Sequence, residues 1–269
     1  MKLSMWSSYY MDLSPEDAVL ELEKQGYQYS ELSDEHAAVL LSRGGAKEAG
    51  REFKKFADAH NVSFLQGHLL LQIRLCDESS PVVETLKNWL GLFEAIGIKS
   101  AVLHCDGMNE CPELTVDEIR EKNAAVLRQL VQHLDGKDMT ICLENLIAVH
   151  EGIDDLLWYI EHVGSDHLGI CLDTGHLNFS SNKDQEYFIH KAGKHLKALH
   201  IADNEGKTDQ HMMPFGKGNV DIVSVVRALK EIGYDRLFNF EIPGERGCPI
   251  EIRGYKLQYL KKVFDFLMK

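Results

Sequence analysis

The chain lacks paired cysteines. Its six cysteines stand singly, with no CxxC, which excludes a zinc ribbon and a thioredoxin-like redox motif. Cys142 and Cys171 sit inside apolar runs, where a free thiol behaves as a small hydrophobe. A reducing, intracellular compartment is therefore expected. Positive charge is also scarce: 29 Lys and Arg face 42 Asp and Glu, for a formal net charge of -13. Duplex binding rests on Lys and Arg contacts to phosphates, so nucleic acid is not the expected partner. The acidic surplus reads as solubility. No stretch approaches the roughly 20 apolar residues that span a bilayer. The N-terminal MKLSMWSSYYMDLSPEDAV lacks the apolar centre of a secretion signal. A cytoplasmic protein without a membrane partner is expected. No repeat, low-complexity tract or linker divides the chain, so residues 1–269 read as one domain. That length buries a large core without covalent staples.

What is present is an alternation. Eight short apolar runs occur at 3–10, 27–33, 63–69, 100–106, 140–146, 168–176, 197–204 and 237–244. Between them lie segments with apolar residues at three-and-four spacing, the mark of an amphipathic helix: 14–26, 46–60, 81–97, 115–134, 153–163, 182–195, 222–233 and 256–269. The first opens with Ser14 as N-cap, Pro15 at the first helical position and Asp17 as an acid in the first turn. Gly26, Gly97 and Gly233 follow helical segments as stop signals. Eight strand–helix units in a chain of this size predict a (β/α)8 TIM barrel. An open doubly wound sheet is the alternative, but no GxGxxG follows the first strand.

In such a barrel the chemistry sits at the C-terminal ends of the strands. Those ends carry Glu31, His68, His104, Glu144, Asp173 with His176, His200 with Asp203, and Glu241. A lone histidine in an apolar run is most often a satisfied core residue. Carboxylates are different, because a charge is almost never fully buried unless paired or bound to metal. Glu144 in "ICLENL", Asp173 in "GICLDTGH" and Glu241 in "LFNFEIPG" would repel one another in one crevice. A divalent cation removes the conflict, with His200 as the neutral fourth ligand. Three oxygen donors and one imidazole suit Mn²⁺ or Mg²⁺, and Co²⁺ or Zn²⁺ next. Cys105 and Cys111 have no paired motif and read as bystanders. Asp209 and His211, two apart in "DQHMMPFGKG", could face one centre from an extended loop or simply be solvated. "FGKG" is not a phosphate-binding P-loop. Gly216 and Gly218 read as turn residues, with Asn219 or Asp221 capping the next helix.

Taken together, "LEN" (143–145), "LDTGH" (172–176), "HIADN" (200–204), "DQHMMPFGKGNVD" (209–221) and "FEIPGE" (240–245) resemble the xylose-isomerase-like TIM barrels. Within that superfamily the likeness is to the sugar (phosphate) isomerases and epimerases. The resemblance spans essentially the whole chain. It implies that Glu144, Asp173, His200 and Glu241 bind one divalent metal, with Glu144 and Glu241 as the acid/base pair. Protons would move between them through a metal-stabilised enediolate. It implies that His176 contacts the substrate, a small sugar or sugar phosphate. His104 and His68 would line the mouth, and Trp6 would offer an apolar wall, while Trp158 reads as helix packing. Lys207, Lys217, Arg246 and Arg253 are the cations in loops on the expected active face, and Lys217 is taken as a substrate contact. The related abasic-site endonucleases bind three zinc ions through a larger set. Its counterparts here are His68, His104, Glu144, Asp173, His176, His200, Asp209, His211 and Glu241, so a multinuclear site would add His176, Asp209 and His211. The chain departs from that branch where it reads "ENLIAVHEG" and "DTGH". The resulting expectation is a metal-dependent isomerase. A zinc-dependent phosphodiesterase, or a lyase or dehydratase on the same scaffold, is the alternative. A homo-oligomer is compatible with the sequence.

Overall fold

The eight apolar runs become eight parallel strands in a computed structural model that describes residues 1–146, 152–180, 184–244 and 247–269. These are β1 (Lys2–Trp6), β2 (Tyr29–Leu32), β3 (Ser63–His68), β4 (Ser100–Leu103), β5 (Thr140–Glu144), β6 (Leu168–Asp173), β7 (Leu196–His200) and β8 (Leu237–Phe240). From β1 to β7 each strand pairs with the next, and β1 also pairs with β8. The remaining seam closes just past β7, where the Ile201 N–H donates to the Asn239 carbonyl at 2.8 Å and the Glu241 N–H to the Ile201 carbonyl at 3.1 Å. The fold is a (β/α)8 barrel.

The helices form where their capping residues allow. α1 (Pro15–Lys24) is capped by Ser14, whose hydroxyl accepts the Asp17 N–H. α2 (Asp34–Leu41) is an element the periodicity did not reveal: it is short, and Ser33 opens it right after β2. α3 (Ala46–Ala59) and α4 (Val82–Ile96) follow, the latter stopped by Gly97 at φ 96°. α5 (Val116–His133) starts at a reciprocal capping box between Thr115 and Glu118. α6 is Ile153–Val163 and α7 is Thr174–Phe179. α8 (Gln185–Ala192), α9 (Ile222–Glu231) and α10 (Ile250–Leu267) complete the ring. α10 begins six residues before the 256–269 segment. Arg253 is therefore not a loop residue on the active face. It is buried in α10 and donates to both Asp12 oxygens, at 2.6 and 2.8 Å.

The outer core packs helices on the sheet. A second cluster, Val102, Cys142, Cys171 and Ala198, takes one small side chain from each of β4 to β7. Both cysteines are fully buried there, as their apolar surroundings suggest, and all six cysteines are free thiols.

Gly244, just past β8, has a backbone reason to be glycine. A Cβ there would lie 2.0 Å from the Tyr9 carbonyl oxygen, in the turn after β1. Backbone cannot swing aside as a side chain can. Gly244→Ala is expected to cost about 3 kcal/mol in chemical denaturation. A loss below about 0.5 kcal/mol would show that this seam yields freely.

Candidate active site

Strand ends bring the predicted residues to one crevice at the C-terminal mouth of the barrel. Its pocket, of about 280 Å³, is lined by Trp6, His68, His104, Glu144, His176, Asp209, His211 and Glu241 among others. The Asp173 side chain explains the break in the sixth run. Its Oδ1 accepts the His176 N–H at 2.6 Å, so strand turns into α7 at Asp173, and His176 lands one turn into the helix. Asn145 locks β5 to β6 beneath them, donating to the Asp173 carbonyl at 3.0 Å and accepting the Asp173 N–H at 2.8 Å.

Glu144 is the hub. Its Oε2 lies 3.1 Å from His104 Nε2, 3.5 Å from His68 Nε2 and 3.2 Å from His200 Nδ1, and its Oε1 lies 3.1 Å from His176 Nδ1. Glu241 Oε1 is 3.2 Å from the same His200 nitrogen, and Glu241 Oε2 is 3.3 Å from His211 Nδ1. Asp209 lies between His176 and His211, at 3.6 and 3.3 Å. The loop pair that could have been solvated thus belongs to the crevice.

The electrostatics follow from burial opposed by imidazoles. Burial alone would raise the Glu144 carboxyl, but His200 and His104 hold it well below the usual carboxylate range. Glu241, equally buried, is held down at about 2 by His200 and His211. Asp173 has weaker compensation, and burial pushes it up to about 7. Burial works against His211, but Asp209 and Glu241 raise it to about 11. Charged imidazoles here supply the counter-charge that a cation would otherwise supply.

Among the converging carboxylates and imidazoles, the buried Asp173 Oδ2 has no hydrogen-bond partner, and His200 Nδ1 makes no well-aligned hydrogen bond although it lies 3.2 Å from both glutamates. One ligand atom each from Glu144, Asp173, His200 and Glu241 lies within 4.8 Å of the others. Unpartnered buried polar atoms cost free energy, and donors converging this way fit a cation. Three further groups share these residues: His68, His104 and Glu144; Asp173, His176 and His211; and Glu144, Cys171 and His200.

Other expectations resolve differently. Asp203 faces the loop, accepting the Val220 N–H at 3.0 Å. Gly216 lies in the bend that follows the turn at Pro214 and Phe215, where the positive φ belongs to Phe215, at 63°, and Gly218 lies past it. Gly218 is instead a close approach, because a Cβ would lie 2.0 Å from Asp203 Oδ1. Asp221 caps α9, while Asn219 accepts from Asn178 at 2.7 Å. Lys207 and Lys217 are exposed on the loop and absent from the pocket wall. Arg246 and the departing stretch 147–151 lie outside the described residues. Trp158 stacks on His162 at 3.7 Å, as helix packing. Trp6 does line the pocket, and its buried Nε1–H has no partner.

Sequence reasoning noted Glu31 only as a strand end. It is fully buried, with Oε1 at 3.0 Å from His200 Nε2, and Asn239 donates to its other oxygen. Ser4 donates to Asn239 at 2.8 Å. This chain leaves His200 Nδ1 free to face the crevice, since an outer carboxylate fixes the tautomer and orientation of a ligating imidazole. The signal for Glu31 in the sequence is a glutamate near the end of the second strand-like run.

Carboxylates and imidazoles at the C-terminal strand ends stand where enzymes of this barrel fold place their active sites. The xylose isomerase-like TIM barrel family matches residues 19–266, and the chain belongs to it. An uncharacterised protein of Methanocaldococcus jannaschii is 32% identical over 158 residues, covering 56% of this chain and 53% of that one. The inosose isomerase of Bacillus velezensis is 24% identical over 239 residues, 83% of this chain and 81% of that one. The chain spans about half the length of the first curated relatives it matches. A solved D-tagatose 3-epimerase-like protein superposes with a TM-score of 0.80 at 21% identity, over 99% of this chain and 98% of that one. More distant matches include an L-ribulose 3-epimerase and proteins named probable endonuclease 4. These relatives and structural neighbours support an enzyme of the isomerase and epimerase superfamily. No helix among the described residues is long and apolar enough to cross a membrane.

Proposed function

We propose that the protein is a divalent-metal-dependent isomerase or epimerase of a small sugar. The observation that carries this reading is the convergence of Glu144, Asp173, His200 and Glu241, with Asp173 Oδ2 buried and unpartnered and His200 Nδ1 turned toward both glutamates. A hard, oxygen-rich donor set favours Mn²⁺ or Mg²⁺, with Co²⁺ or Zn²⁺ next. Such a cation would draw charge from a substrate carbonyl and its neighbouring hydroxyl and so acidify the C–H between them.

The remaining work falls to side chains. One of Glu144 and Glu241 accepts the carbon-bound proton, and the electron pair left behind delocalises onto the carbonyl oxygen. The other glutamate returns a proton on the opposite face or at the adjacent carbon. His176 orients a substrate hydroxyl, with His104 and His68 at the mouth. Trp6 supplies an apolar wall and one N–H donor. No lysine or arginine lines the pocket among the described residues, which favours an unphosphorylated sugar. Lys217 would then meet only the far end of a longer substrate.

The test is incubation of metal-loaded protein with ketohexoses, ketopentoses and inososes in deuterated water, with metal content measured alongside. Deuterium at the carbon next to the carbonyl, with one ion per chain, is the expected result. The second reading is an abasic-site phosphodiesterase. It is favoured by two donor groups beside the four-residue one, His68 with His104 and Glu144, and Asp173 with His176 and His211, the latter with Asp209 next to it. About three zinc ions per chain, with cleavage of an abasic duplex and no exchange, would replace the first reading with the second.

A further inference from the structure

The opposite mouth of the barrel, where the strands begin, holds a second cavity of about 310 Å³. In a chain with a net charge of -13, its wall gathers Lys2, Lys99, Lys197 and Arg236 against two carboxylates, Asp138 and Asp235. Asp138 is taken by Lys99 at 2.7 Å. Lys197 and Arg236 have no carboxylate within ion-pair reach among the described residues. Arg236 donates instead to the Ser100 hydroxyl at 3.2 Å, and that hydroxyl donates to the Lys197 carbonyl, also at 3.2 Å. The buried Ser100 thus ties the Arg236 side chain to the Lys197 backbone, and both side chains line the same cavity.

Nor does Lys197 merely trail into solvent. A Cβ on Gly169, in neighbouring β6, would lie 2.6 Å from Lys197 Cγ. The absent side chain is the notch in which the lysine stem lies. Partial burial, and then the charge of Arg236, push the Lys197 amine below its ordinary range. Asp166 and Asp235 offset that repulsion only in part, and a bound anion would relieve the rest.

We propose that this mouth binds a small phosphate-bearing anion between Lys197 and Arg236. The arginine fork suits two phosphate oxygens and the lysine supplies a point charge. The cavity has the size of a small-ligand site. It is separate from the catalytic crevice, and the proposal does not depend on what that crevice does.

Titration calorimetry with inorganic pyrophosphate and orthophosphate, against sodium chloride of matched ionic strength, tests it. One anion per chain is expected. Lys197→Gln and Arg236→Gln should each weaken binding about tenfold or more. Gly169→Ala should weaken it while keeping every charge. Lys207→Gln, on the other face, should not. On the unaltered protein, pyrophosphate should slow acetylation of Lys197 but not of Lys207, which keeps the test valid should a variant fold poorly. No binding beyond the chloride control, or binding and Lys197 acetylation that ignore these changes, would overturn the proposal.

Discussion

Glu144→Gln and Glu241→Gln are each expected to slow exchange of the substrate's carbon-bound hydrogen with deuterated solvent by about 10³-fold, within the range that a positioned acid or base contributes. The amide keeps the shape and one oxygen of the carboxylate but cannot take a proton. Each glutamate also faces His200 Nδ1 at 3.2 Å, so each change weakens the metal site as well. The assay should therefore be run at saturating metal, where loss of occupancy is corrected and loss of proton transfer is not. Glu144 contacts four imidazoles, those of His68, His104, His176 and His200, whereas Glu241 contacts two, those of His200 and His211. Glu144→Gln should therefore disturb circular dichroism melting more than Glu241→Gln. Exchange within tenfold of the unaltered protein in either variant would remove that glutamate from the acid/base pair.

Chelation is expected to lower the melting temperature by about 10 °C. A ligand that binds only the folded state at a thousandfold excess over its Kd stabilises by about 4 kcal/mol, and a chain of this size shifts by roughly 2–4 °C per kcal/mol. The metal-free crevice must also keep Glu144, Asp173 and Glu241 buried together. Asp173→Asn should lose most of the metal-dependent increment. Burial already pushes the Asp173 carboxyl up to about 7, so its charge is disfavoured in the fold. Removing that charge should leave the metal-free variant at least as stable as the metal-free parent near pH 8. A melting temperature indifferent to chelator would count against a resident metal at this site.

Much of the fold was legible because local rules suffice for it. Ser14 capping α1 and Gly97 ending α4 depend on residues within a few positions of each other. The eight apolar runs are buried on one face by the helices around them and on the other by the packed barrel interior, so they read as continuous hydrophobic stretches. α2 escaped because eight residues hold too few turns for a period to emerge. The start of α10 escaped because Arg253 and Gly254 interrupt its apolar spacing. Both are buried there, Arg253 against Asp12 and Gly254 where a Cβ would meet the Gln25 amide.

The candidate site divides in the same way. Carboxylates inside apolar runs marked Glu144, Asp173 and Glu241 without any structure, because an acid among Ile, Leu and Phe needs a partner wherever the chain folds. His200 followed as the adjacent neutral donor. The sequence by itself therefore determined the strand–helix alternation and the chemical type of the site. Only the tertiary structure decided which nitrogen of His200 is left facing the crevice, since that depends on Glu31, Asn239 and Ser4 from three other strands. Only it brought Asp209 and His211 in from their loop, and moved Arg253 out. It alone gathered Lys197 and Arg236 at the far mouth, 39 positions apart in the chain. The physical reason is common to all four: spacing along a chain sets which face a side chain takes, but barrel closure sets what stands opposite it.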